Sequence, residues 1–200
     1  MTDERETIRR VLDGDYDAFE TFVEKYQARI YRHICKMVPD RQQAQDLLQE
    51  TFLSAYRGLG GFTGASSFST WLFKIATNTA LMFLRKHQPE CIEYDDHLEN
   101  VKKSDVVPSA TAFVSTPLEM LLSVEGRKKI EEAIDNLPVL YRSVLILRDV
   151  EGFSIEEVSQ ITETSVAAVK SRLHRARHAV REALTSYYGE KRFSGNRRVS

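Results

Sequence analysis

Residues 153–181 read FSIEEVSQITETSVAAVKSRLHRARHAVR, and their spacing describes a capped helix, a tight turn and a basic second helix. Ser154 is an N-cap residue and Glu157, three positions on, closes a capping box, so a helix starts here. Ile155, Val158 and Ile161 form its buried side, and Glu163 and Thr164 fall in the turn. In the following helix Val166, Val169, Leu173, Ala176 and Val180 recur at about 100° per residue, which places them on one core-facing side. The opposite side carries Ala167, Ala168, Ser171, His174, Arg175 and His178, with Lys170, Arg177 and Arg181 along one flank and Arg172 along the other. Small residues lead and cations follow. Such a helix suits a DNA major groove, where the leading turn must approach base edges while flanking cations reach phosphates. The same residues also describe a solvated basic face on an ordinary surface helix. His174 and His178, spaced i,i+4, lack a third ligand nearby, and two histidines do not make a zinc site.

Composition bounds the rest. The chain has 200 residues, 42% hydrophobic and 28% charged, enough for one large or two small cores of a soluble globular protein. No stretch approaches the roughly 18 apolar residues of a membrane span, and the opening MTDERETIRR has no apolar signal core; a cytosolic protein without membrane insertion of its own is expected. Cys35 and Cys91 stand far apart, which argues against a disulfide framework or a self-contained metal site. The formal net charge is −1, unexpected for a protein holding DNA unaided through many phosphate contacts. The charge is segregated instead. Between Pro89 and Pro117 six acids face two lysines, and three of the chain's five prolines fall in the same stretch. Residues 89–117 therefore read as a flexible acidic linker.

The linker separates a domain of residues 1–88 from one of residues 118–188, followed by a tail, 189–200, expected to be disordered. Neither half shows strand alternation, so the expected fold class is all-α. Asp15 to Val38 predicts one helix with Phe19, Phe22, Val23, Tyr26, Ile30 and Ile34 inward, and Pro39 ends it; His33 and Cys35 read as core or surface, not ligands. Asp40 caps a second helix running to about Leu59, with Gln43 at the capping-box position and Ala44, Leu48, Phe52, Ala55 and Leu59 buried. Its outward arc holds Gln42, Asp46, Gln49 and Leu53, with Glu50 and Arg57 adjacent. Leu53 on that stripe reads either as a single exposed leucine, which is ordinary, or as part of a protein-docking face too acidic for nucleic acid. The loop GGFTGASS, residues 60–67, lacks the lysine of a phosphate-binding loop, which argues against nucleotide binding. A long helix follows from Ser67 to Lys86, with Phe68, Leu72, Ile75, Ala76, Thr79 and Phe83 inward. Trp71 sits at the edge of that arc beside Lys74, Asn78 and Arg85, an aromatic and cationic stripe of the kind single-stranded DNA uses. A half-buried tryptophan with solvated neighbours reads equally from the same spacing.

With these pieces placed, the chain resembles the extracytoplasmic-function sigma factors of bacterial RNA polymerase over nearly its whole length. The strings DAFETFVEKYQARIYRHI, DLLQETFLSAYRGL, FSTWLFKIATNTALMFLRK and IEEAIDNLPVLYRSVLILRDVEGFSIEEVSQITETSVAAVKSRLHRAR carry the resemblance, in that order. It implies a first domain that reads and opens the −10 element and a second that reads the −35 element. Asp46, Gln49, Glu50 and Leu53 would dock on the clamp coiled coil of the largest polymerase subunit, with the second domain near the flap. Phe62 in the glycine loop, with Trp71, Lys74 and Asn78, would capture an extruded base of the non-template strand. Lys170, Ser171, His174 and Arg175 match base and groove contacts, and Arg172 and Arg177 backbone contacts. The resemblance further implies an anti-sigma protein that masks both domains, and no cofactor, metal or catalytic centre. Two other readings remain: a free-standing helix-turn-helix regulator that binds DNA without polymerase, and a purely protein-binding helical adaptor.

Overall fold

The computed structural model describes residues 4–87 and 124–195; the acidic linker lies outside these. Among the described residues every regular element is helical: α1 Glu4–Leu12, α2 Glu20–Met37, α3 Arg41–Gly58, α4 Phe68–His87, α5 Val124–Asp135, α6 Val139–Leu145, α7 Ile155–Thr162 and α8 Val166–Gly195, with short 3-10 or π turns between some of them. The all-α expectation holds.

In the first domain α2, α3 and α4 pack on one another, and α1 packs against the 3-10 turn that precedes α2. Asp40 caps α3 as its sequence predicts, its side chain accepting from the Gln43 N–H at 2.9 Å. The expected helix from Asp15 is divided. A 3-10 turn spans Tyr16–Phe19 because the Asp15 carboxylate accepts from the Ala18 N–H, and α2 begins only at Glu20. Phe22, Ile30, Ile34 and Met37 of α2 meet Ala44, Ala55, Leu72 and Ala76 in the core. Leu47, not Leu48, is the deeper of the adjacent leucines on α3. His33 is fully buried, its Nε2 2.9 Å from Thr77 Oγ1, and burial pushes its pKa down to about 4, so the ring is neutral at pH 7.

In the second domain α6 runs into a π turn, Ile146–Val150, in which the Glu151 N–H reaches back to the Ile146 carbonyl. Gly152 then takes φ +81°, a conformation glycine adopts without steric cost, and turns the chain toward α7. Arg148 donates to the Phe153 carbonyl at 2.7 Å and fixes that turn. The capping box on α7 is complete: the Glu157 N–H donates to Ser154 Oγ at 3.1 Å, and the Ser154 N–H donates to the Glu157 carboxylate at 2.8 Å. Val158, Ile161, Val169, Leu173 and Ala176 are buried as the periodicity requires, while Ile155, Val166 and Val180, expected on the same sides, are only half-buried. Helix α8 continues to Gly195, past the expected end at residue 188 and into the segment read as tail.

The two domains lie against each other. Helix α4 packs along α7, and α2 meets α6. Phe73 of α4 sits edge-on to Phe153, ring centroids 4.9 Å apart. The buried arc of α4 is shifted from the one predicted: Thr70, Phe73, Thr77, Ala80 and Leu84 are buried, while Ile75, Thr79 and Phe83 are only half-buried; Thr70 and Phe73 meet Glu157 and Phe153 of the second domain, and Thr77 meets His33 of α2.

Candidate nucleic-acid interface

Helix α4 begins with Ser67, whose hydroxyl accepts from the Thr70 N–H at 3.0 Å and caps the first turn. The helix so placed carries Trp71, Lys74 and Asn78 at spacings of three and four, which on a helix means one continuous stripe. Trp71 is half-buried within an aromatic group, 5.1 Å from Phe62 and 5.5 Å from Phe68 between ring centroids. Its ring is packed by Phe62 and Phe68, as a half-buried tryptophan at the edge of the core arc. Phe62, from the glycine loop, is half-buried in the same group.

Further along the stripe Lys74 and Asn78 converge on one carboxylate. Lys74 Nζ lies 2.8 Å from Glu163 Oε1, and Asn78 Nδ2 lies 3.5 Å from Glu163 Oε2, the latter at the outer limit of a hydrogen bond. The Lys74 ammonium holds the Glu163 carboxyl below its ordinary range. One turn earlier Thr70 Oγ1 donates to the Glu157 carboxylate at 3.1 Å. Glu157 is itself held in its ionised form chiefly by the Ser154 N–H. The N-terminal caps of α4 and α7 thus meet through Ser67, Thr70, Glu157 and Ser154.

On α8 the leading turns are open: Ala167, Lys170, Ser171 and His174 are exposed. Three arginines differ among themselves. Arg175 donates to the buried Tyr141 hydroxyl at 3.1 Å. Arg177 forms a two-point pair with Asp149, from Nε at 2.9 Å and Nη2 at 2.5 Å. Arg172 is 9% exposed and lies in the domain interior, not along a solvent flank as its position on the helix predicts. Sequence reasoning had no signal for Tyr141 and Asp149 as partners, since each lies about thirty positions from the arginine it holds. The outward arc of α3 is where the periodicity puts it: Gln42, Asp46, Gln49, Glu50 and Arg57 are exposed, and Leu53 is 49% exposed among them. Among the described residues no group of three metal-ligating side chains forms, and no helix is long and apolar enough to cross a membrane.

Comparison with known proteins finds one family model in each half. Residues 22–90 match Sigma-70 region 2 and residues 127–180 match Sigma-70, region 4. The chain is 37% identical over 183 residues to the RNA polymerase sigma-H factor of Pseudomonas aeruginosa, covering 90% of this chain and 93% of that one. It is 32% identical over 180 residues to the ECF RNA polymerase sigma factor SigW of Bacillus subtilis, with 90% and 96% covered. The ECF RNA polymerase sigma-E factor of Escherichia coli is 35% identical over 176 residues, with 86% and 90% covered. Among solved structures, CnrH in complex with the cytosolic domain of CnrY superposes with a TM-score of 0.63 at 20% identity, over 91% of this chain and 97% of that one. The sigma factor RpoE in complex with the anti-sigma factor NepR from Bartonella quintana gives 0.60 at 22%, over 84% and 96%. Those two likenesses show the shared fold, and the sequence relatives show the family: this chain belongs to the extracytoplasmic-function sigma factors of RNA polymerase.

Proposed function

We propose a division of labour within this sigma factor. The outward face of α3, with Asp46, Gln49, Glu50 and Leu53, docks on core polymerase. Helix α8 reads the upstream promoter element through Lys170, Ser171, His174 and Arg175, with Arg177 on the DNA backbone. Arg172, buried beneath the helix, supports the domain from within. The stripe of Trp71, Lys74 and Asn78, with Phe62 beneath it, receives an unstacked base during opening. The protein acts in the cytoplasm without catalytic chemistry or cofactor of its own. An anti-sigma protein of the kind named in the RpoE–NepR complex restrains it.

The observation that carries the strand-capture assignment is the convergence of Lys74 and Asn78 on a single carboxylate. Two donors on α4 aimed at one cluster of acceptor oxygens can equally take a phosphate or the acceptor edge of a base. Extruding a base costs a few kcal/mol, which only contacts made after extrusion can offset. Asn78→Ala should accordingly leave polymerase association and upstream binding nearly unchanged while lowering permanganate reactivity of promoter thymines. Premelted promoter should restore much of the loss. Full opening of duplex promoter by Asn78→Ala, or a defect that premelted DNA does not relieve, would remove the assignment.

A further inference from the structure

Among the described residues five large apolar side chains are exposed, Leu12, Tyr16, Leu53, Met82 and Val150, and the first three gather on one side of the first domain. Leu53, Tyr56 and Gly60 stand three and four positions apart on α3 and the 3-10 turn Leu59–Gly61 that continues it, and so form one stripe. Tyr16 leans over the middle of that stripe, its ring centroid 6.2 Å from that of Tyr56. Leu12 covers its end, with Cδ2 3.9 Å from where a Cβ on Gly60 would stand. Leu12 is 55% exposed and Tyr16 68%. One such residue is ordinary; three along one stripe make a patch of the kind that partners cover.

The turn that presents Tyr16 is fixed in advance. Arg10 donates to Asp15 through Nε and Nη2 at 2.9 and 2.6 Å, and the Ala18 N–H donates to the same carboxylate at 3.2 Å. Phe19 anchors the turn inward, buried and edge-on to Tyr56 at 5.2 Å between centroids, which leaves Tyr16 as the outward residue. A side chain presented on so fixed a turn loses little freedom when it is covered. The charge around it has one sign. Arg9 is engaged by Glu6 and Arg10 by Asp15, while Asp13, Asp17 and Glu20 are exposed within four positions of Tyr16 and pair with no described cation.

Resting on the docking reading of α3, we propose that the polymerase-binding surface continues from Leu53 across Tyr56 onto Tyr16 and Leu12, with Asp13, Asp17 and Glu20 prolonging the acidic rim that Asp46 and Glu50 begin. The occupant is a surface of core polymerase with an apolar centre and a basic rim. An enzyme that holds nucleic acid is rich in basic surface, and acids placed opposite it steer the encounter. The same rim repels phosphate, which disfavours DNA on this patch. A two-fold contact with a second copy of the chain would set the acids against one another. Tyr16 then acts as an aromatic anchor beside Leu53, on an element of the chain outside α3.

The test is titration of the fluorescently labelled full chain with purified core polymerase. Leu12→Ser combined with Tyr16→Ser should weaken association at least roughly tenfold, as loss of an interface anchor does, with binding of a single-stranded −10 oligonucleotide unchanged. Asp13→Lys combined with Asp17→Lys removes no packing and decides the matter if the serine pair lowers the melting temperature. It should slow association at low salt, and the difference should vanish near about 1 M salt, where charges are screened within about 3 Å. Asp46→Arg with Leu53→Glu is the reference. If that pair binds core like the parent, the docking reading of α3 fails whatever the other variants do. If it abolishes binding while the folded Leu12 and Tyr16 variant, or in its place the Asp13 and Asp17 variant, binds like the parent, docking on α3 stands and its continuation is overturned. Loss of oligonucleotide binding with core affinity intact would assign the patch to DNA, and loss only of self-association in sedimentation would assign it to a second copy; either result overturns the proposal.

Discussion

Helices α4 and α8 are both assigned to DNA, yet they meet solvent in opposite ways. On α8 the leading turn is open, with Lys170, Ser171 and His174 exposed while Arg175 and Arg177 are braced by Tyr141 and Asp149 from the same domain. On α4 the corresponding donors, Lys74 and Asn78, are engaged by Glu163 of the other domain. The difference fits the two tasks. A duplex-reading helix loses little by being preformed and exposed. A strand-capturing helix acts only once duplex has begun to part.

The largest expected effect tests a third face, which neither domain covers. Asp46→Arg combined with Leu53→Glu should abolish co-purification with core polymerase and leave the circular dichroism spectrum unchanged, since both positions point outward. An undiminished pull-down would place the docking face elsewhere and leave the closed α4 as the better candidate for a protein contact. On α8 the effects are smaller and should divide by residue. Arg175→Ala should cost about 1–3 kcal/mol and relax discrimination at one upstream base pair, as the loss of a base contact does. Arg177→Ala should weaken every upstream sequence alike and lower the salt slope by about one, because its pair with Asp149 uses Nε and Nη2 and leaves Nη1 for a phosphate. Identical sequence profiles for these two variants would show that the groove face of α8 is turned the other way.

The same contrast explains what could be read in the sequence. The helix-turn-helix was legible because everything that specifies it is local: Ser154, Glu157 and the apolar positions of α7 and α8 lie within thirty residues and act through capping and periodicity. The outward arc of α3 was legible for the same reason. Helix α4 was legible only in part. Its length and its start at Ser67 followed from local signals, but Phe73 and Thr70 are covered by Phe153 and Glu157 from the second domain, and no helical period encodes a partner some eighty positions away. The 3-10 turn before α2 escaped because one Asp15 side-chain bond to the Ala18 N–H outweighs the continuous apolar pattern. Arg172 escaped because angular position on a helix says where a Cβ starts, not where a long side chain ends. Strand capture was an open choice in the sequence, because the partner that Lys74 and Asn78 share, Glu163, lies in the other domain and no local pattern announces it.

The central claim is that this chain reads promoters as part of polymerase and not by itself, and a gel shift of duplex promoter DNA with and without core polymerase tests it most directly. A formal net charge of −1 and an α4 stripe held by Glu163 predict weak, salt-sensitive retention by the chain alone and stable, sequence-specific retention once core is added. Tight, specific binding of duplex promoter by the purified chain without polymerase would contradict the account.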